Sequence, residues 1–195
     1  MKSLLNFPLA LLVIFLVSCG QNREVTRIDP KTQTDLSGRW NDTDARLVAE
    51  EMIKDCLSRP WLERFNEKNQ KRPTVIVGLI QNNTHEHIDP NVFTREMEKQ
   101  FINTGTVRVV QGGEFRERIR EERADQQKYA TPETQAQWGR ELGADYMMTG
   151  VISSIVDSYD DEKVVFYKTN LELTDLETNE KVWLGDKEIK KYIED

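Results

Sequence analysis

The chain has 195 residues, 37% hydrophobic and 31% charged, enough apolar material for one ordinary core of about 150 ordered residues. Its 34 acidic residues outnumber 27 basic ones for a net charge of −7, which argues against nucleic-acid binding, because that affinity rests on neutralised phosphates. Two cysteines, Cys19 and Cys56, and two histidines leave too little for a disulfide framework or the usual zinc ligand set.

Lys2 gives the amino terminus a positive charge, and residues 9–17 form an almost purely apolar run that is short for a permanent bilayer span. Leu16-Val17-Ser18-Cys19 follows directly: a small residue at the cut and a thiol open to alkylation. The tetrapeptide resembles the lipobox of bacterial lipoproteins. That resemblance implies that residues 1–18 are removed and that Cys19 becomes the acylated first residue. Several acyl chains hold firmly where one is marginal, since each buried methylene stabilises attachment by about 0.8 kcal/mol. Gly20, in place of an Asp, points by the usual sorting rule to the periplasmic face of the outer membrane.

Residues 19–40 carry few apolar side chains, scattered charges and the turn-like Asp29-Pro30, the composition of a tether. A globular domain is expected over residues 41–195. Its first helix starts after Asn41, Asp42 or Thr43, any of which can cap it, and carries Leu47, Val48, Met52, Ile53, Cys56 and Leu57 on one face until Arg59-Pro60 interrupts it. Cys56 reads as a buried helix residue. A short helix is expected over 61–69, and a doubly buried strand over 74–80 around Val75-Ile76-Val77.

Asp89-Pro90 opens the next helix, Asp89 as cap and Pro90 where its missing N–H costs nothing, with Val92, Phe93, Met97, Phe101 and Ile102 expected inward. Residues 106–110 form a strand, and the strand–helix–strand order favours a parallel pair. Residues 114–128 read as a charged helix docked only by Phe115 and Ile119. Another helix, holding Trp138 and Leu142, is expected from Thr131-Pro132 to Gly143. Strands at 146–156, 163–173 and 181 to about 189, turning at Asp160-Asp161 and Glu177-Thr178-Asn179, complete an antiparallel meander. Together these make a single α/β domain: a mixed sheet of about five strands packed with helices.

No catalytic set, metal site or cofactor site is assigned. His85-Glu86-His87 with Asp89 is the one stretch that hints at metal, yet it reads better as a loop between strand and helix. Asp157, Asp160, Asp161 and Glu162 lack the spacing of a calcium loop, and Gly112-Gly113 lacks the lysine of a phosphate loop. The charges at 116–123 read as a solvated face with internal pairs. Val164, Phe166 and Trp183 read as sheet-on-helix core before interface.

Residues 35–44, Asp-Leu-Ser-Gly-Arg-Trp-Asn-Asp-Thr-Asp, and residues 82–89, Asn-Asn-Thr-His-Glu-His-Ile-Asp, resemble the LpoB family, as do residues 142–146 with Gly150 and residues 175–183. The resemblance implies an α/β domain similar to the amino-terminal domain of TolB. It also implies a non-enzymatic outer-membrane lipoprotein that binds and activates a class A penicillin-binding protein, with no small-molecule substrate. The best-known members have a longer, proline-rich tail. A TolB-like or CsgG-like structural or secretion-associated lipoprotein is the other reading, although no segment looks like a pore-forming membrane strand.

Overall fold

The structure is a computed structural model that describes residues 25–29, 32–134 and 141–194. The chain divides into two units, Met1–Thr32 and Gln33–Asp195. In the first, residues 25–29 are exposed, and the Thr32 amide donates to the Asp29 carbonyl at 2.9 Å. Cys19 and the apolar run before it lie outside the described residues.

The second unit is built on a five-stranded mixed sheet. Its strands are β1 (Thr74–Asn83), β2 (Arg108–Val109), β3 (Tyr146–Tyr159), β4 (Glu162–Asp175) and β5 (Lys181–Glu194), in the spatial order β2-β1-β3-β4-β5. β1 runs parallel to both β2 and β3, and β3, β4 and β5 are antiparallel neighbours. The sequence reading of a parallel pair followed by a meander holds. The last three strands run several residues longer than expected. β5, expected to stop near Ile189, continues to Glu194.

Helix α1 (Asp42–Leu57) begins with a reciprocal cap: the Asn41 side chain accepts from the Asp44 amide at 3.1 Å, and the Asp44 carboxylate accepts from the Asn41 amide at 2.9 Å. Two donors left over by the helix start are thereby satisfied. α1 buries Val48, Ala49, Met52, Ile53 and Cys56. Leu47 points largely to solvent, because it lies one helical step outside that stripe. Burial raises the pKa of the Cys56 thiol, which leaves it un-ionised and inert.

Helix α2 (Pro60–Asn69) turns back at Pro60, and its buried Trp61 donates through Nε1 to the Cys56 carbonyl at 2.7 Å, closing the end of α1. Helix α3 (Pro90–Thr104) is capped by Asp89, which accepts from the Asn91 amide at 2.9 Å, and ends at Gly105 in the left-handed conformation. Phe93, Met97 and Phe101 are fully buried, whereas the expected Val92 and Ile102 are exposed at the margin of the stripe. Helix α4 (Gly113–Tyr129) buries no residue; Phe115 and Ile119, expected to dock it, are both exposed. The Phe115 ring instead takes the Arg95 guanidinium 4.7 Å from its centre. For the helix expected over 131–143, residues 135–140 lie outside the described residues, residues 132–134 form a turn and residues 141–144 are irregular.

The core lies between α1, α2, α3 and one face of the sheet. A bulge in β1 makes that face continuous. Three steps from Val77 to Ile80 pair with two steps of β3, from Met148 to Gly150. The extra residue lets Val75, Val77 and Ile80 all point inward and turns Leu79 out. A second irregularity between Leu173 and Thr174 pairs them with Trp183 and Lys181. Trp183 thus enters the core, and its indole N–H donates to Asp55 on α1 at 2.8 Å. The indole lies across Gly185, where any Cβ would collide with it.

Trp183→Ala is therefore expected to lower unfolding free energy by about 3–5 kcal/mol, through the cavity and the lost tie to α1. Gly185→Val should cost about 1–3 kcal/mol by overpacking the same ring. Urea denaturation midpoints measure both.

Candidate partner interface

Two of the sequence blocks that resemble the LpoB family, residues 35–44 and 82–89, meet in space. Residues 35–40, read from the sequence as part of a tether, form a strap bound to the domain. The reason is the length of β5: its last inward residues, Lys191 and Ile193, lie beyond the expected end of the strand. Lys191 Nζ donates to Asp35 Oδ1 at 2.7 Å, to Asp44 Oδ2 at 2.6 Å and to the Arg39 carbonyl at 2.9 Å, so all three of its donors are used. Asp44 Oδ2 is the same oxygen that accepts from the Asn41 amide. Ile193 packs against Gly38, which adopts a φ of 64° and has no room for a Cβ.

Glu86 holds the strap from the other side. One oxygen accepts from the Trp40 amide at 3.0 Å and the other from the Tyr167 hydroxyl at 2.6 Å. The Trp40 ring meets Phe93 and Tyr167 edge to face, with centroids 6.3 and 5.6 Å away. Burial, with the Glu86 carboxylate beside it, pushes the Tyr167 phenol up and keeps it a hydrogen-bond donor. Asn82 shapes the loop that presents Glu86, donating to the Glu86 carbonyl at 2.8 Å.

His85 and His87, flanking Glu86, point to solvent, and Asp89 is engaged as a helix cap. Among the described residues no group of three or more His, Cys, Asp or Glu side chains is placed to hold a metal ion. The sequence weighed the histidines and missed the glutamate. A lone Glu in a polar loop carries no signal of its own, and only the resemblance of residues 82–89 to the LpoB family marked the segment.

The charges on α4 pair partly within the helix, as expected, Arg118 with Glu114 and Arg120 with Glu117 at 2.6 Å, and partly beyond it, Arg120 with Glu141 at 2.9 Å. The acidic hairpin turns at Asp160, in the left-handed conformation, and Glu162 accepts from the Tyr192 hydroxyl at 2.7 Å. Trp183 is core. Val164 and Phe166 are half-buried, on the opposite face of the sheet from the core.

That second face is the larger surface the fold leaves open. Leu79, Leu184, Ile155 and Tyr192 lie on it, 68%, 69%, 66% and 58% exposed, beside half-buried Val151, Val164 and Phe166. Most of its charges are matched: Lys168 reaches Glu188 at 2.9 Å and Asp186 at 3.3 Å, and Lys181 reaches Glu172 at 2.6 Å, while Lys190 stands opposite Phe166 without an ion pair among the described residues. Exposed apolar side chains among locally neutralised charges are what a protein surface accepts with little desolvation cost. Among the described residues no helix is long and apolar enough to cross a membrane.

The fold and this surface define a helix-backed α/β domain with an open sheet face and a docked amino-terminal strap. The family model described as peptidoglycan-synthase activator LpoB matches residues 44–189, and the chain belongs to the LpoB family. Members are envelope lipoproteins that act with penicillin-binding proteins; the family is one of regulators and not a known catalytic one. Similar solved structures include the LpoB C-terminal domain from Escherichia coli, at 14% identity and a TM-score of 0.44 over 75% of this chain and 98% of that one. The same domain from Salmonella enterica gives 13% identity with the same coverage and TM-score. Lipoprotein GNA1162 from Neisseria meningitidis gives 13% identity and 0.39 over 62% and 83%. No curated protein sequence gives a match.

The strap has a definite pH signature. Lys191, then Gln33, hold the Asp35 carboxyl below its ordinary value of 3.8, so its contribution is complete above that value and fades as pH falls below it. Burial pulls Lys191 down, but Asp35 and Asp44 outweigh it and hold it above 10.5, so its contribution is complete below that value and fades as pH rises past it. Stability should be flat between about pH 4 and pH 10 in this respect. Lys191→Met should lose about 1–3 kcal/mol within the plateau and flatten both limbs, as read by urea unfolding across pH.

Proposed function

We propose that this chain is a lipid-anchored activator of a class A, bifunctional penicillin-binding protein, held at the periplasmic face of the outer membrane through acylated Cys19. The family match over residues 44–189 carries the reading, and the lipobox-like Leu16 to Cys19 supplies the anchor. The open sheet face is the surface through which the domain would grip the synthase. Its apolar row of Leu79, Val151, Leu184 and Ile155 stands beside the paired Lys168 and Lys181, which lowers the charge left to desolvate.

Activation without chemistry requires differential binding. The lipoprotein must bind the active conformation of the synthase more tightly than the resting one, and an acceleration of tenfold asks for about 1.4 kcal/mol of that difference. A rigid sheet suits this task because it does not reshape itself to fit both states. The docked strap also limits reach. The stretch between Cys19 and Gln33 spans at most about 50 Å when fully extended, so the synthase must bring its receiving domain that close to the outer membrane.

The purified protein should raise the lipid II polymerisation rate of the class A penicillin-binding proteins of its own organism. Absence of both binding and stimulation across all of them would overturn the proposal. Cys19→Ser should leave stimulation in detergent solution unchanged and shift the protein from the membrane to the soluble periplasmic fraction.

A further inference from the structure

At the opposite end of β5 from the strap, a groove of about 650 Å³ opens between α2 and the turn that joins β4 to β5. Its volume falls in the range of small-ligand sites. Phe65 and Tyr146 line it, locked edge to face with centroids 5.6 Å apart, and buried Trp61 meets Tyr146 at 5.0 Å. Arg64 and Lys68 stand on the helical wall, and Glu177 and Glu180 on the turn wall.

None of these four charges makes an ion pair among the described residues, although opposite signs line one cavity. Elsewhere on the domain, neighbouring opposite charges do pair, as at Lys168, Lys181 and Arg120. Here the walls are fixed and hold them apart. The tie from Trp61 to the Cys56 carbonyl sets α2. The turn is set by Asp175, whose carboxylate accepts from the Glu177 and Thr178 amides at 2.8 and 2.9 Å and whose amide donates to the Glu180 carbonyl at 2.8 Å. Lys71, the other nearby cation, is already taken by Asp145 at 3.1 Å.

We propose that this groove binds a short zwitterionic peptide, whose carboxylate is received by Arg64 and Lys68 and whose ammonium is received by Glu177 and Glu180 over the Phe65 and Tyr146 rings. A ligand carrying both charges satisfies both walls at once, whereas one of a single sign meets repulsion from one of them. The aromatic floor takes the apolar stem between the charged ends. This site is independent of the sheet face assigned to the synthase, so its failure would leave that assignment standing.

Isothermal titration of the full chain with trialanine tests it. Trialanine with both termini free should bind saturably. N-acetyl-trialanine, trialanine amide, and the double variants Arg64→Gln with Lys68→Gln and Glu177→Gln with Glu180→Gln should each weaken binding by about tenfold or more. All four substituted residues are exposed, so unfolding midpoints should stay unchanged. Absence of saturable heat with free trialanine, equal binding of the blocked peptides, or indifference to both double variants would overturn the proposal.

Discussion

The Lys191 ammonium, almost removed from solvent and surrounded by Asp35, Asp44 and the Arg39 carbonyl, joins the far end of the chain to the strap and the start of α1, about 150 residues earlier. A charge so placed is tolerated only when every donor has an acceptor. This one condition fixes the far end of β5, the first turn of α1 and the strap together. Glu86 does the same for the loop after β1, through Trp40 and Tyr167. With these two groups in place the strap has a definite course. Under the proposed anchoring, the point from which the domain would hang is then set by side-chain chemistry as well as by chain length.

The sheet divides the labour between its faces. One face, made continuous by the β1 bulge, is consumed by packing against α1, α2 and α3. The other pairs Lys168 and Lys181 among its own strands and leaves apolar side chains standing between them. The proposed role, recognition by a larger enzyme, asks for little more: a stiff support, a surface whose desolvation is cheap, and a fixed point of attachment. The domain's third feature, the charged groove at the other pole, is spare to that task.

Much of this was legible in the residues. Asp89-Pro90 marked a helix start and Arg59-Pro60 the end of another because capping and the proline ring act locally, and the strand expected over 163–173 is the centre of β4, where Val165, Tyr167, Thr169, Leu171 and Leu173 alternate inward. What was lost depended on contacts between distant segments. Leu47, Val92 and Ile102 sit at stripe margins, where periodicity alone cannot decide burial. Phe115 and Ile119 belong to a helix that sends nothing into the core. The end of β5 alternates Lys, Tyr, Ile and Glu and looks like a solvated tail until Asp35 and Gly38 are seen beside it. The strap was read as tether for the same reason: its partners are about 150 residues away, and polar composition is silent about them. The candidate site was legible only as a resemblance, in two blocks whose meeting at Glu86 and Trp40 no spacing rule foretells.

The division of the sheet into a packed face and a presented face is tested most directly by titrating methyl-labelled protein with the soluble periplasmic part of its synthase and following the methyl resonances. The account predicts that Leu79, Val151, Ile155 and Leu184 shift or broaden while Leu47, Val92 and Ile102, exposed on the helical side, hold still. Movement of the helical set with the sheet set unchanged would contradict it.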